Sequence, residues 1–133
     1  MLTKALLCLA LSVFHEGRNQ SLEGQKAIAH VIMNRTKSDL FRSDVCKVVT
    51  QPGQFSWVGH VSAVNTKNAI EKEAWEDAKR IAFSVLSRKE VDNTNGAVFY
   101  HRKGSKPHWA RSKDFRRVAF IDDHIFYKKI SQR

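Results

Sequence analysis

Apolar residues recur at helical spacing in three segments of the chain, residues 1–14, 24–35 and 67–89. In the first segment they cover almost the whole circumference, which is typical of a helix buried on all sides. The other two segments carry one apolar stripe, which is typical of helices that cover a core. Ser21 precedes the second segment and is a residue type that caps helix starts. The pattern therefore predicts three packed helices.

Between and after these helices the periodicity changes. Turn residues predict loops, and short apolar runs rich in aromatic or β-branched residues predict strands. The expected elements are an irregular segment over 36–66 with one short helix near 43–50, a turn at 92–96, a strand at 97–101, and an extended segment at 116–129 that turns at Asp122 and Asp123. The sequence thus predicts one α+β, mainly α, domain over residues 1–133.

Length and composition narrow the class of protein. A chain of 133 residues with 42% hydrophobic residues can bury a core. No run reaches the roughly 18 apolar residues of a membrane span. Residues 1–14 also fit a secretory signal, because Lys4 precedes their apolar stretch. The two cysteines, Cys8 and Cys46, are predicted to be buried thiols rather than a disulfide.

The charge of the chain is strongly positive and unevenly distributed. Lys and Arg number 23 against 13 Asp and Glu, a net charge of +10. Residues 101–133 hold 10 of the basic and 3 of the acidic residues, which is +7 of that total. A field of this sign attracts polyanions such as nucleic acid, acidic lipid head groups or anionic cell-wall polymers. Charge alone does not choose among these partners.

Glu16 is the acidic residue that differs from the rest, because it directly follows the apolar first segment. A carboxyl group that loses solvation at such a boundary has a raised pKa, which suits a general acid near neutral pH. A solvated carboxylate at a helix end is the alternative. Glu16 is therefore a candidate catalytic residue.

The histidines do not form a recognisable metal site. His15 and Glu16 begin like a zinc-protease motif, but Asn19 stands where that motif needs its second histidine. The histidines of the C-terminal part are spaced too loosely for a ligand set: His101, His108 and His124. We expect no metal and no cofactor.

Aromatic residues lie beside hydrogen-bonding residues at three places, around Trp57, Tyr100 and Trp109. A sugar ring can stack on such a ring while its hydroxyl groups are hydrogen-bonded, and nucleic-acid bases stack in a similar way. Ordinary core packing is the alternative for each. These residues are candidates for binding a saccharide or a single strand of nucleic acid.

The motifs "HEG", "EGQKAIAHVIMNR", "QPGQFSW", "GAVFYH" and "HW" follow one another between about residue 6 and residue 127. In this order they resemble the SleB/CwlJ-type cell wall hydrolases, which include spore-cortex-lytic enzymes and some phage endolysins. The resemblance implies a lysozyme-like single catalytic domain with a small β element. It also implies cleavage of the β-1,4 bond between N-acetylmuramic acid and N-acetylglucosamine in peptidoglycan, with Glu16 as the catalytic acid.

One departure from the family pattern bears on the mechanism. A second acid that the family often carries near Glu16 is replaced by Gln20. Glycosidases ordinarily use two carboxyl groups, whereas a lytic transglycosylase can use one, because the C6 hydroxyl of the muramic acid closes on C1. The sequence therefore favours a lytic transglycosylase. A hydrolytic muramidase on the same fold is the alternative, with Asp122 or Asp123 as its base.

The same resemblance implies a substrate cleft around Glu16 that is built from separate parts of the chain. The residues expected to bind substrate there are Gln54, Phe55, Ser56, Trp57, Tyr100, His101, Trp109 and His124.

The expected partners are peptidoglycan glycan strands, and anionic outer-membrane or wall polymers that contact the basic last quarter. No nucleic acid and no membrane span are expected, and the chain is expected to be a monomer. As a phage-type endolysin it would stay in the host cytoplasm until its release to the periplasm or cell wall; secretion through an N-terminal signal is the alternative. Two other classes stay open: a basic nucleic-acid-binding domain and a wall-binding domain without activity.

Overall fold

The computed structural model describes residues 3–51 and 67–130 of the chain. These residues form more helix than strand, and the predicted α+β, mainly α, architecture is confirmed. The elements are the helices α1 (Lys4–Gly17), α2 (Leu22–Arg35), α3 (Val45–Thr50) and α4 (Ala69–Leu86), the strands β1 (Phe99–Arg102), β2 (Phe115–Ile121) and β3 (His124–Lys129), and a 3-10 helix, His108–Arg111, between β1 and β2.

Each of the four α-helices begins at a polar residue whose side chain accepts a hydrogen bond from a backbone N–H of the first turn. Such caps satisfy donors that have no partner within the helix. The predicted cap Ser21 is confirmed, and the other caps are Thr3, Asp44 and Asn68. Within the described ranges, no helix is long and apolar enough to cross a membrane.

Helix α1 lies in the centre of the helical layer and contacts α2, α3 and α4. Its residues Leu9 and Val13 are fully buried against Ile28 and Ile32 of α2, and Trp75 of α4 packs on the same core. Burying one such side chain stabilises the fold by about 1.5–3 kcal/mol. The predicted helix is confirmed from residue 4 onwards, but it is not buried on all sides, because Leu7 is exposed. Glu16 is therefore carried by a helix that packs one broad face on the core.

The three strands form an antiparallel sheet in the order β1-β3-β2. Strands β2 and β3 form a hairpin that turns at Asp122 and Asp123, as predicted, with Asp122 at a φ of 51°. Alternate residues of β3 face opposite sides of the sheet. Phe126 faces α2 and packs on Ala27 and Val31, whereas Tyr127 faces the outer side. The helix-facing side and the outer side of this sheet therefore carry different residues.

The hairpin turn is tied to the start of α2. The carboxylate of Asp122 accepts hydrogen bonds from the backbone N–H and the hydroxyl of Ser21, both at 2.7 Å. A side chain at Gly24 would collide with that carboxylate, so the glycine permits the close approach. The bonds from Ser21 lower the pKa of Asp122, because they favour its ionised form.

The expectation that Cys8 and Cys46 are thiols is wrong, because the structure joins them in a disulfide. Helix α3 packs on α1 and brings the two Cα atoms to 5.3 Å, which lies within the range that a disulfide spans. The bond closes a loop over a sequence separation of 38 residues and links α1 to α3. Two cysteines so far apart in the chain gave no local sign of this pairing.

Removing the disulfide is expected to lower the free energy of unfolding by about 2–4 kcal/mol, because a cross-link over this separation restricts the unfolded chain. The measurement is urea unfolding of the wild type, with and without reductant, beside the Cys8→Ser/Cys46→Ser variant. The variant serves as the control, since reductant should not change it. Equal stability of the oxidised wild type and the variant would contradict the prediction.

Replacing Asp122 by Asn is expected to lower the free energy of unfolding by about 1 kcal/mol near neutral pH, because the bonds to Ser21 lose their charged acceptor. The folded-state pKa of Asp122 is lowered, so its contribution is present above the usual carboxyl pKa. The difference between wild type and variant should disappear as the pH falls through the folded-state pKa. Asp123→Asn in the same turn is the matched control, and an equal effect of both variants would refute this role of Asp122.

Candidate active site

Glu16 lies in the last turn of α1 and its side chain is half-buried. The hydroxyl of Tyr100 donates a hydrogen bond of 2.6 Å to Oε1 of Glu16. Tyr100 pairs with Phe126 in the sheet and therefore lies on the side of β1 that faces the helices. The core position of α1 and the register of the sheet together bring these two side chains into contact. A carboxyl group held in this way has a fixed orientation, which proton transfer requires.

The phenol of Tyr100 remains a donor at all physiological pH values. Burial, then the negative charge of Glu16 and the hydrogen bond between them, raise the pKa of Tyr100 well above 10, and nearby Arg35 acts in the opposite direction. A phenol that keeps its proton can donate to Glu16 whether or not the carboxyl group is ionised, because Oε1 accepts in both states. The second oxygen, Oε2, is then the atom on which Glu16 can carry a proton.

Arg35 is the site residue that sequence reasoning missed. It ends α2, is only 4% exposed, and donates from Nε to the carbonyl oxygen of Val98 at 2.7 Å. Its guanidinium lies over the ring of Phe41 at 4.7 Å. Burial lowers the pKa of Arg35 to about 10, while Tyr100 and Glu16 favour its charged form. It therefore carries a buried positive charge beside the pair at neutral pH. An arginine at the end of an apolar helix face was the signal that could have found it.

His124 lies next to the pair on the same side of the sheet. It is 5% exposed, and its ring meets the Tyr100 ring edge to face with centroids 5.0 Å apart. Burial, followed by the charge of Arg102, lowers the pKa of His124, so the imidazole is neutral at pH 7. Its Nδ1 is buried without a hydrogen-bond partner among the described residues. The structure thus brings Tyr100 and Arg35 to Glu16 and packs His124 against the ring of Tyr100.

His101 and Trp109 are not brought to Glu16. His101 follows Tyr100 in β1 and so points to the outer side of the sheet, where its Nε2 is hydrogen-bonded to the hydroxyl of Tyr127 at 2.8 Å. Trp109 meets the ring of Tyr127 on that side, with centroids 5.0 Å apart. Both therefore lie on the opposite side of the sheet from Tyr100, and their contact with substrate stays a prediction.

The other candidates divide into two groups. Gln54, Phe55, Ser56 and Trp57 lie outside the described residues. Asp122, considered above as a second base, has its carboxylate hydrogen-bonded to Ser21 at the start of α2.

Among the residues that the structure describes, no three His, Cys, Asp or Glu side chains come close enough to hold a metal ion.

A family model described as Cell Wall Hydrolase matches residues 19–127 of the chain. This match begins three residues after Glu16, so it does not itself identify the acid. A spore cortex-lytic enzyme of Bacillus subtilis is 40% identical over 70 residues, which is 53% of this chain and 23% of that protein. The spore cortex-lytic enzyme of Bacillus cereus is 31% identical over 123 residues, covering 90% of this chain and 42% of that protein. The chain thus spans less than half the length of these relatives.

Two solved structures share the fold. The catalytic domain of the germination-specific lytic transglycosylase SleB from Bacillus anthracis superposes with a TM-score of 0.70 at 27% identity, covering 96% of this chain and 97% of that domain. The catalytic domain of the Bacillus cereus SleB protein has a TM-score of 0.68 at 28% identity, covering 96% and 93%. The lysozyme-like fold expected from the resemblance is confirmed. With its motifs in order, its fold shared and a family model matching most of its length, the chain belongs to the cell wall hydrolase family.

Proposed function

We propose that this protein is a peptidoglycan lytic transglycosylase that cleaves the β-1,4 bond between N-acetylmuramic acid and N-acetylglucosamine, with Glu16 as its single catalytic carboxyl group. The observation that carries the proposal is the hydrogen bond of 2.6 Å between Tyr100 and Glu16, made where the helical layer meets the sheet. The similarity to a SleB catalytic domain that is a lytic transglycosylase supports it. Hydrolysis of the same bond is the alternative.

The first half of the reaction uses Glu16 as an acid. Its Oε2 gives a proton to the glycosidic oxygen as the bond from that oxygen to C1 of the muramic acid breaks, and the N-acetylglucosamine leaves with its hydroxyl restored. Positive charge develops at C1, and Glu16 becomes a carboxylate. The hydrogen bond from Tyr100 and the positive charge of Arg35 stabilise that carboxylate as it forms.

The second half uses the same carboxylate as a base. It takes the proton of the C6 hydroxyl of the muramic acid while that oxygen bonds to C1, which gives a 1,6-anhydro ring and restores the proton of Glu16. No water enters the products. Because the nucleophile belongs to the substrate, its high effective concentration replaces a second carboxyl group. Asp122, the candidate base for hydrolysis, is hydrogen-bonded to Ser21 at the N-terminus of α2, which favours the single-acid mechanism.

The cleft proposed around Glu16 includes Tyr100 and His124 from the sheet, and Gln54, Phe55, Ser56 and Trp57 from the segment between α3 and α4. His101 and Trp109 face the outer side of the sheet. We therefore propose that they contact substrate only where part of the wall reaches that side. The proposed partner is the peptidoglycan glycan strand, and the basic last quarter would hold the protein on an anionic wall in a salt-dependent way.

The disulfide bears on where the protein acts. Disulfides persist in oxidising compartments and are rare in the bacterial cytoplasm. We propose a phage endolysin whose Cys8 and Cys46 are thiols in the host cytoplasm and pair after release to the periplasm or wall. Secretion by a bacterial cell is the alternative. Alkylation of the thiols in separated cell fractions distinguishes the two, since a protein secreted on synthesis would show no cytoplasmic dithiol pool.

Wild type and Glu16→Gln are expected to differ in the products that they release from purified peptidoglycan. The wild type should release anhydromuropeptides, one water lighter than reducing-end products, and the variant should be slower by about 10³-fold, because it lacks the general acid. Mass spectrometry of the soluble fraction is the measurement. Products with a reducing end would establish hydrolysis instead, and no products from the wild type would refute the enzymatic function.

Tyr100→Phe is expected to lower kcat by about 10- to 100-fold, because a hydrogen bond to a charged group contributes about 1.5–3 kcal/mol. Tyr127→Phe is the matched control: it removes the same atom from a buried tyrosine whose hydroxyl bonds to His101 on the other side of the sheet. Its kcat on soluble glycan strands should stay within about twofold of the wild type. Equal losses in both variants would mean that the hydroxyl of Tyr100 has no special role.

A further inference from the structure

A groove on the outer side of the sheet is separate from the site of Glu16. It has a volume of about 260 Å³, and the cations that line it come from three segments: the loop after β1, the 3-10 helix and β2. Lys106, Arg111 and Arg117 supply one cation from each of these segments, and Ser105 and His101 add hydrogen-bonding groups. Three positive side chains that are far apart in the chain therefore converge on one concave surface.

The charges of this groove are available to a ligand. Lys106, Arg111 and Arg117 are exposed, and no acidic residue lines the groove. The three ion pairs of the described residues involve other cations, namely Lys26, Lys79 and Arg80. Like charges placed together without a counter-charge repel one another, so an anion that enters the groove relieves that repulsion as well as forming its own contacts.

The groove and the candidate active site face different sides of the sheet. Arg117 pairs with Tyr127 across the hairpin, on the outer side, whereas Tyr100 and Glu16 meet on the helix-facing side. The groove and Glu16 therefore lie on opposite sides of the sheet. This placement suits a groove that takes a different part of the wall from the part beside Glu16.

We propose that this groove binds the free carboxylates of peptidoglycan peptide stems, and so holds a neighbouring stem while Glu16 acts on a glycan strand. The proposal rests on the proposed function, because it takes peptidoglycan as the substrate. Arginine guanidinium groups bind carboxylates in bidentate fashion, which suits Arg111 and Arg117. The groove is an open concavity confined to about 260 Å³, which fits a short anionic side group better than a nucleic acid or phosphate polymer, whose backbone needs a continuous basic track.

The test measures binding without cleavage, in the Glu16→Gln background. Purified sacculi are sedimented with three proteins. The first is the Glu16→Gln parent, the second adds Arg111→Glu/Arg117→Glu to it, and the third adds Lys128→Glu/Lys129→Glu to it. The last pair is the matched control, because it makes the same change in charge beside Arg116, in a separate groove of the same sheet. A purified tetrapeptide stem and inorganic phosphate are then added as competitors at equal ionic strength.

The expected result is that Arg111→Glu/Arg117→Glu weakens binding to sacculi by about tenfold, which is about 1.4 kcal/mol, and that the lysine pair weakens it much less. The tetrapeptide should displace the parent but not the arginine variant. Equal losses in both pairs would overturn the proposal in favour of diffuse charge attraction, and displacement by phosphate but not by the tetrapeptide would assign the groove to phosphate. Thermal unfolding checks that each variant is folded. If Arg111→Glu/Arg117→Glu is not folded, Arg111→Gln/Arg117→Gln takes its place.

Failure of this proposal is distinguishable from failure of the proposed function. Product release is measured with Glu16 intact, whereas stem binding is measured with Glu16 replaced. Stem binding through the groove by the Glu16→Gln parent, together with no fragments released by the wild type, would refute the enzyme and leave the groove in place. Release of anhydromuropeptides by the wild type, together with sacculus binding that does not depend on Arg111 and Arg117, would refute the groove proposal and leave the enzymatic function in place.

Discussion

The hydrogen bond between Tyr100 and Glu16 joins the two layers of the domain, and the candidate chemistry depends on it. Glu16 comes from a helix held in the core, and Tyr100 comes from the edge strand of the sheet. Neither layer alone would position the carboxyl group. Helix α1 is fixed by apolar packing on three other helices and by a disulfide to α3, and the sheet is fixed against α2 through Phe126 and through the bonds of Asp122 to Ser21. The oxygen that must exchange a proton is thus held at the junction of two rigid elements.

The charges and hydrogen bonds around Glu16 favour a carboxyl group that gains and loses a proton without rearrangement of its neighbours. Arg35 is buried and charged, Tyr100 keeps its proton, and His124 is neutral at pH 7. One fixed positive charge and one fixed donor therefore face a single carboxyl group. In the proposed reaction, this arrangement would stabilise the carboxylate that follows the first proton transfer. It accords with a reaction in which one residue serves in turn as acid and base.

Strand alternation divides the sheet into two functional surfaces. The helix-facing side carries Tyr100, which bonds to Glu16, and His124, which packs against Tyr100. The outer side presents an aromatic cluster around Tyr127, bordered by Arg111 and Arg117. The adjacent residues Tyr100 and His101 thus serve different surfaces. A wall is a network rather than a single strand, and a protein with two such surfaces can contact it at two points.

The sequence by itself determined most of the elements and singled out Glu16 as a candidate acid. The helical stripes, the cap at Ser21, the turn at Asp122 and Asp123 and the mainly α class all follow from local patterns, since periodicity and turn chemistry act over a few residues. Glu16 stood out for the same local reason, as the acid that ends an apolar run. The family motifs added the lysozyme-like fold.

The tertiary structure decided what depends on contacts between distant residues. The pairing of Cys8 with Cys46 needs α3 to pack on α1. The position of Arg35 needs the end of α2 to meet Val98, the residue before β1. The separation of His101 from Tyr100 follows from the register of β1 on β3, which fixes the side of the sheet that each residue faces. Local patterns do not encode such contacts, because they arise only when the helical layer and the sheet pack together.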